Sequence, residues 1–188
     1  MGDGVAKDEM ILDGLKDAYH KGVHMGTAAE LTAQKMNIGR AAQDAYARSS
    51  YERAQAATKA GRFAGEIVPV EVKGRDGKVT VVREDQEVFR ADFSRFAALR
   101  PTFPTTVKGV TPAGAAAPVG TVTAANSSVI GDGAAALVLM SARRARAMGI
   151  PGLAVVAAHA DAALPPLDYT VAPEAACRRA VVIQRITQ

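Results

Sequence analysis

Hydrophobic spacing changes period several times along the chain, and each change predicts an element. Between Asp8 and Tyr19, Met10, Ile11, Leu15 and Ala18 fall near helical spacing, and Gly22 ends the run before a turn through Val23–Gly26. Thr27 to Lys35 is a candidate helix in which Thr27 and Glu30 have capping-box spacing. Arg40 to Ala60 is a longer one, with Ala42, Ala45, Ser49, Ala56 and Ala60 as a small-residue stripe and Gly61 placed as a left-handed cap. The period then drops to two. Ile67–Val72 and Lys78–Val82 read as strands, Asp76-Gly77 as a hairpin turn, and Pro69 puts the first strand at an edge.

Arg83 to Arg100 is charged and mixed, and Pro101 to Gly120 is a loop rich in Pro, Gly, Ala and Thr. From Gly120 the pattern is core-like again. Thr121–Thr123, Ala134–Met140 and Leu153–Ala158 predict buried strands. Ser141 to Gly149 predicts a short basic helix with a Ser cap and a terminal Gly, and a further helix begins near Glu174 after the Pro165-Pro166 break. Strands alternating with helices favour a layered α/β core.

Composition narrows the function classes. The 188 residues carry 23 Lys+Arg and 19 Asp+Glu, a net charge of +4, too mild to indicate nucleic-acid binding without a concentrated patch. Hydrophobic residues make up 48% but aromatics only 5%, with no Trp, so alanine-rich close packing is expected rather than a bulky core. The single cysteine, Cys177, excludes an internal disulfide and a multi-cysteine zinc site, and His20, His24 and His159 are too scattered for a metal cluster. No apolar run approaches a membrane span. Ala6 stands where a myristoylation signal has Ser or Thr, and the acidic first dozen residues resemble neither a secretory signal nor a mitochondrial presequence.

Residue pattern alone yields no complete catalytic constellation. His24-Met25-Gly26 suits a ligand-facing turn, although a surface histidine is the commoner outcome. Thr123–Gly133 is the densest run of small and polar residues, where free backbone groups suit a ligand, yet its glycines match no phosphate-loop or dinucleotide pattern. Arg90, Asp92 and Arg95 suit a phosphate or, more commonly, a surface charge network. Cys177 beside Arg178-Arg179, and the Arg143, Arg144, Arg146 group, read first as an ordinary helix residue and a solvated helix face.

Several words, in order, carry a resemblance. They are Met10–Leu15, His24-Met-Gly-Thr-Ala-Ala-Glu30, Gln43–Ala47 with Ser50-Tyr51, Ala60-Gly-Arg-Phe63, Glu66–Val70, and Gly120-Thr-Val-Thr-Ala-Ala-Asn126 running into Asp132–Met140. Together they resemble the biosynthetic thiolases, the acetyl-CoA C-acetyltransferases, and most of all the mitochondrial acetoacetyl-CoA type. The resemblance implies a layered α-β-α-β-α fold, incomplete here, with an α+β loop domain. It implies the divisions 1–23 (end of the N-terminal core half), 24–119 (loop domain), 120–150 (return to that half) and 151–188 (start of the C-terminal half). It also implies a reaction, the reversible Claisen condensation of two acetyl-CoA to acetoacetyl-CoA, and a homo-oligomer, a tetramer in the family. The compartment it implies is mitochondrial, with cytoplasmic as the alternative.

By the same resemblance, His24 and Met25 lie along the pantetheine arm of coenzyme A. Tyr51, Arg90, Ala91, Asp92 and Arg95 lie near its adenine and phosphates, and Ser128 near the pantetheine amide. Tyr51 and the carbonyls at Ala124, Ala125 and Ser127 would hold a potassium ion. Arginines suit phosphates, and oxygen-only donors suit a hard monovalent cation. The family's nucleophilic cysteine would precede Met1. Its Gly-His-Pro histidine, second cysteine and Asn-Glu motif would follow Gln188. The chain is therefore expected to lack the catalytic residues and to be inactive alone. A non-catalytic coenzyme A-binding or thiolase-partner module is the alternative. Ser127 replaces a usual Ala, Gly131 a usual Asn or Ser, Pro104–Pro118 looks inserted, and Arg178–Gln188 drifts from the pattern.

Overall fold

The computed structural model describes residues 8–111, 114 and 116–186. The Met1–Ala6 segment weighed above as a lipidation signal lies outside them, as do parts of the Pro104–Pro118 insertion and the end of the tail. The chain forms two compact units, Val23–Val129 and a second that joins Met1–Gly22 to Ile130–Gln188.

The first unit is built on two helices, α1 (Met25–Lys35) and α2 (Arg40–Lys59). The expected Thr27 cap is corrected by the structure. His24 is the N-cap, extended at φ −82° and ψ 150°, and its Nδ1 accepts the Gly26 amide at 3.1 Å. Glu30 does not reach back in a capping box. It is fully buried and accepts the amides of Thr121 and Val122 at 2.8 and 2.7 Å. Helix α1 buries Thr27, Ala28, Glu30 and Ala33, a stripe at three-residue spacing.

Both helices end in the same way. Asn37 (φ 53°) and Gly61 (φ 66°) adopt the left-handed conformation, and the next residues, Ile38 and Arg62, donate to Ala33 O and Ala57 O at 2.8 and 3.0 Å. These are Schellman closures, which satisfy carbonyls that helix ends would leave bare. Strands β1 (Val70–Lys73) and β2 (Val79–Val82) pair antiparallel with Val70 opposite Val82, and Gly77 at φ 80° supplies the turn. The hairpin falls inside the period-two stretch and is shorter than the alternation suggested.

Two 3-10 turns, Glu87–Phe89 and Phe93–Ala98, follow the hairpin and pack on α2. Gln55 Nε2 donates to Val88 O at 2.9 Å, and Arg40 Nη2 to Phe96 O at 2.6 Å. Tyr51, Phe93 and Phe96 meet edge-on with ring centroids 5.4–6.3 Å apart. The core is small and made of short side chains: Ala28, Ala33, Phe96, Val107 and Val122 with the buried threonines 27, 105 and 123.

In the second unit, α3 (Ala142–Ala147) begins at Ser141, whose Oγ accepts the Arg144 amide at 3.2 Å, and closes at Gly149 with φ 66°. A 3-10 turn, Pro166–Val171, leads into α4 (Ala172–Ile186), which starts earlier and runs longer than the sequence suggested. Arg179 Nη1 ties α4 to Asp161 O at 2.7 Å.

The three predicted buried strands do not form. Thr121–Thr123 is buried at its last two residues, but among the described residues one backbone bond, Thr102 N to Val122 O, joins it to another stretch of chain, too few for a ladder. The Thr121 and Val122 amides go to Glu30 instead. Ala134–Met140 and Leu153–Ala158 form no regular element and are mostly exposed, with Leu137 at 87% and Leu153 fully accessible. A strand is defined by its partner, and among the described residues β1 and β2 form the one sheet.

Candidate functional site

An open cavity of about 800 Å³ lies in the first unit between α2, the turn before Phe89 and the segment 125–129. Helix α2 lays one face along it. Ala42, Ala47, Ser50 and Ala54 give a floor without bulk, and Tyr46 and Tyr51 give it phenol rings. Asp85, Glu87 and Val88 form one wall, and Ala125, Asn126, Ser127, Ser128 and Val129 the opposite one. Small side chains on α2 leave the room, and Tyr46 and Tyr51 line it.

The 125–129 wall is fastened from behind. Thr121 Oγ1 donates to Glu30 Oε2 and accepts from Gln43 Nε2, both at 2.8 Å. Asn126 Nδ2 donates to Asp44 Oδ1 at 2.9 Å, and Asp44 Oδ2 accepts from Arg40 Nε at 2.7 Å. The carbonyls of Ala124, Ala125 and Ser127 accept no hydrogen bond among the described residues. Tyr51 is pushed above the ordinary phenol value of 10.0, first by burial and then by the nearby negative charge of Glu87. It keeps its proton and presents a neutral oxygen.

The cavity brings together four of the residues singled out in the sequence: Tyr51, Ala125, Ser127 and Ser128. Ala124 precedes them on the same turn and is exposed. Arg90 follows the Glu87–Phe89 turn, 3.7 Å from Glu87 and 3.3 Å from Gln86 Oε1, mostly exposed. Ala91, Asp92 and Arg95 continue into the next turn. Asp92 caps it through the Ser94 amide. Hydrogen bonds from the Ser94 hydroxyl and amide, with the Arg95 charge, lower its carboxyl below the ordinary value against the effect of burial. His24 and Met25 are not on the cavity walls. They stand at the N-terminus of α1, where the His24 ring stacks on Phe103 with centroids 4.8 Å apart. The His24 Nδ1 is occupied by the cap, so Nε2 is the nitrogen left for a ligand.

Sequence reading missed Gln43, Asp44, Glu87 and Val88 as parts of this site. Their signal is the Arg40–Asp44 pair at helical spacing, which looks like a surface ion pair until Asn126 is found on its far side.

Residues 1–143 match the thiolase N-terminal domain. The chain belongs to the thiolase family. Over 171 residues, 90% of the chain, it is 46% identical to the mitochondrial acetyl-CoA acetyltransferase of Homo sapiens and to that of Mus musculus. That alignment covers 37% of each relative, so this thiolase chain spans little more than a third of their length. Its fold is similar to that of the Acat5 thiolase from Ascaris suum, solved in complex with coenzyme A. The TM-score is 0.75 at 37% identity, covering 92% of this chain and 40% of that one. The α/β thiolase fold expected from the sequence is thus present in part, as helices with a small two-stranded sheet.

The oxygen-only set at Tyr51, Ala124, Ala125 and Ser127 fits a hard monovalent cation, because neutral phenol and carbonyl oxygens replace a hydration shell without binding protons. No group of three or more His, Cys, Asp or Glu side chains assembles among the described residues. No helix among them is long and apolar enough to cross a membrane.

Proposed function

We propose that this chain is the coenzyme A-holding part of an acetyl-CoA C-acetyltransferase, and that the cavity beside α2 receives the adenine end of coenzyme A. The observation that carries this reading is the cavity itself. Its walls join Tyr51 of α2 to Ser127 and Ser128, in a chain whose relatives are acetyl-CoA acetyltransferases. Arg90 and Arg95, with Ala91 and Asp92 between them, follow the Glu87-Val88 wall in sequence and hold phosphates. Ser128 and the Nε2 of His24, with Met25 beside it, receive the pantetheine arm. Tyr51 and the carbonyls of Ala124, Ala125 and Ser127 hold potassium, which when bound adds a positive charge next to the ligand. Residues 24–119 act as the loop domain and the remainder as parts of the two core halves.

The reaction served is the condensation of two acetyl-CoA to acetoacetyl-CoA and its reversal. The 188 residues alone bind the carrier without turning it over. Covalent acyl transfer needs a thiolate and a base in contact. Cys177 is the single thiol, and it is exposed on α4. Relatives named as mitochondrial support a mitochondrial location and a homo-oligomeric assembly is carried over from the family, to be checked by cell fractionation and ultracentrifugation.

Calorimetry of the full chain with coenzyme A in potassium buffer tests the reading. Saturable binding that weakens about tenfold in Arg90→Ala is expected, since one charge-assisted contact to phosphate is lost. No heat at millimolar ligand overturns the binding role. Sustained thiolysis of acetoacetyl-CoA by the purified chain overturns the claim that it does not turn over alone.

A further inference from the structure

The turn that closes the cavity is organised around one side chain. Asn126 lies between Ala125 and Ser127, and its amide is used at both ends. Oδ1 accepts the Thr123 amide at 2.8 Å. Nδ2 donates both to Thr121 O at 3.0 Å and to Asp44 Oδ1 at 2.9 Å. Asp44 is itself held, because Arg40 donates to its Oδ2 at 2.7 Å and to Phe96 O at 2.6 Å. One amide therefore joins α2 to the backbone just before the 124–125 peptides and, through its own main chain, to the residue just after them. Few side chains can replace it. Aspartate keeps the acceptor for Thr123 but loses both donors and faces the Asp44 carboxylate, and leucine keeps neither function.

We propose that Asn126 is a positioning residue. Through Asp44 and the Thr121 and Thr123 backbone, it fixes the orientation in which Ala124, Ala125 and Ser127 turn their carbonyls toward a cation and Ser128 meets the ligand. This rests on the reading of the cavity as a coenzyme A and potassium site. Asn126 lies on the cavity wall, but its side-chain amide is taken up by Thr121, Thr123 and Asp44. It sets the spacing of the groups that meet the ligands, so it governs the preference for potassium over sodium as well as affinity.

The test compares wild type, Asn126→Asp, the reciprocal pair Asn126→Asp with Asp44→Asn, and Gly61→Ala, which weakens the α2 cap away from the cavity. Each is measured by thermal unfolding, by coenzyme A calorimetry in potassium and in sodium, and by amide hydrogen exchange without ligand. In the reciprocal pair, the amide placed at position 44 still accepts from Arg40 and now donates to the carboxylate placed at position 126. The contact to Thr121 O stays lost, so recovery is partial.

Asn126→Asp is expected to weaken coenzyme A binding about tenfold, to erase the difference between the two cations and to speed exchange at Ala125, whose amide donates to Thr123 Oγ1. The reciprocal pair is expected to recover about threefold of that loss and part of the cation preference. Gly61→Ala lowers the unfolding temperature with binding unchanged. Wild-type affinity and cation preference in Asn126→Asp overturn the proposal. So does a reciprocal pair that recovers nothing, whether the single variant folds or not. If wild type binds no coenzyme A, the ligand reading fails by itself. Hydrogen exchange then decides whether Asn126 holds the turn, and unchanged protection at Ala125, whose amide closes the turn on Thr123 Oγ1, overturns that as well.

Discussion

Gly26 is, among the described glycines, the one with least room for a side chain. A Cβ built there would lie 2.3 Å from Cδ2 of Phe103, the ring that stacks on His24. Gly26→Ala is expected to push the ring aside and to cost about 1–3 kcal/mol, read as a lower midpoint in urea unfolding. Adding Phe103→Leu should return part of the loss, because the clash and not the backbone angle is the cause. Tyr51 makes a second prediction, in pH. Burial and the Glu87 charge raise its folded pKa above the 10.0 of the free side chain, so the neutral phenol is the form that folding favours. The stability it contributes is fully present below pH 10.0 and is lost as pH climbs through the raised value. Urea midpoints across that alkaline range should fall less steeply in Tyr51→Phe than in wild type. Tyrosinate absorbance should show a late-titrating group that the variant lacks.

At the scale of elements, three helices close on left-handed residues, and their sequences announce it unequally. Gly61 and Gly149 could be read as caps because glycine adopts φ near 66° without strain. Asn37, at φ 53°, does the same work without that signal. Gly61→Ala is expected to lose about 1 kcal/mol by circular dichroism melting, and Ser141→Ala a similar amount through the lost bond to the Arg144 amide. Elements set by neighbours within a few residues were legible: α2, the hairpin with Gly77 and the Ser141 cap. Those set by distant partners were not. Thr27 and Glu30 look like a capping box, but Glu30 finds stronger donors 91 and 92 residues away in Thr121 and Val122. The apolar runs at 134–140 and 153–158 carry strand-like composition, and composition does not say whether a partner strand lies alongside. The site divides in the same way. Tyr51, Ser127 and Ser128, which line the cavity, were singled out by family words, while Asp44 and Gln43 gain meaning only from Asn126 and Thr121 across the fold.

For the whole molecule, those uncovered runs set its behaviour in solution. Leu137, Val138, Leu139, Val155 and Val156 are each more than 70% exposed, and their backbone joins no sheet among the described residues. The isolated chain is expected to self-associate with rising concentration. Leu137→Lys with Val155→Lys should shift sedimentation toward the monomer and leave coenzyme A binding untouched. A monodisperse wild-type chain at high concentration would contradict this.

The Asp44–Asn126 bond spans 82 residues of sequence. That distance imposes a chronology. The α2 face that floors the cavity is made of local contacts and forms within the time of helix growth, whereas its far wall waits for a long loop to come home. A chain still lacking residue 126 has a shelf and no cup. Any molecule that fits the finished cup grips the last piece to arrive, so its first effect is to slow the departure of that piece and lengthen the life of the fold.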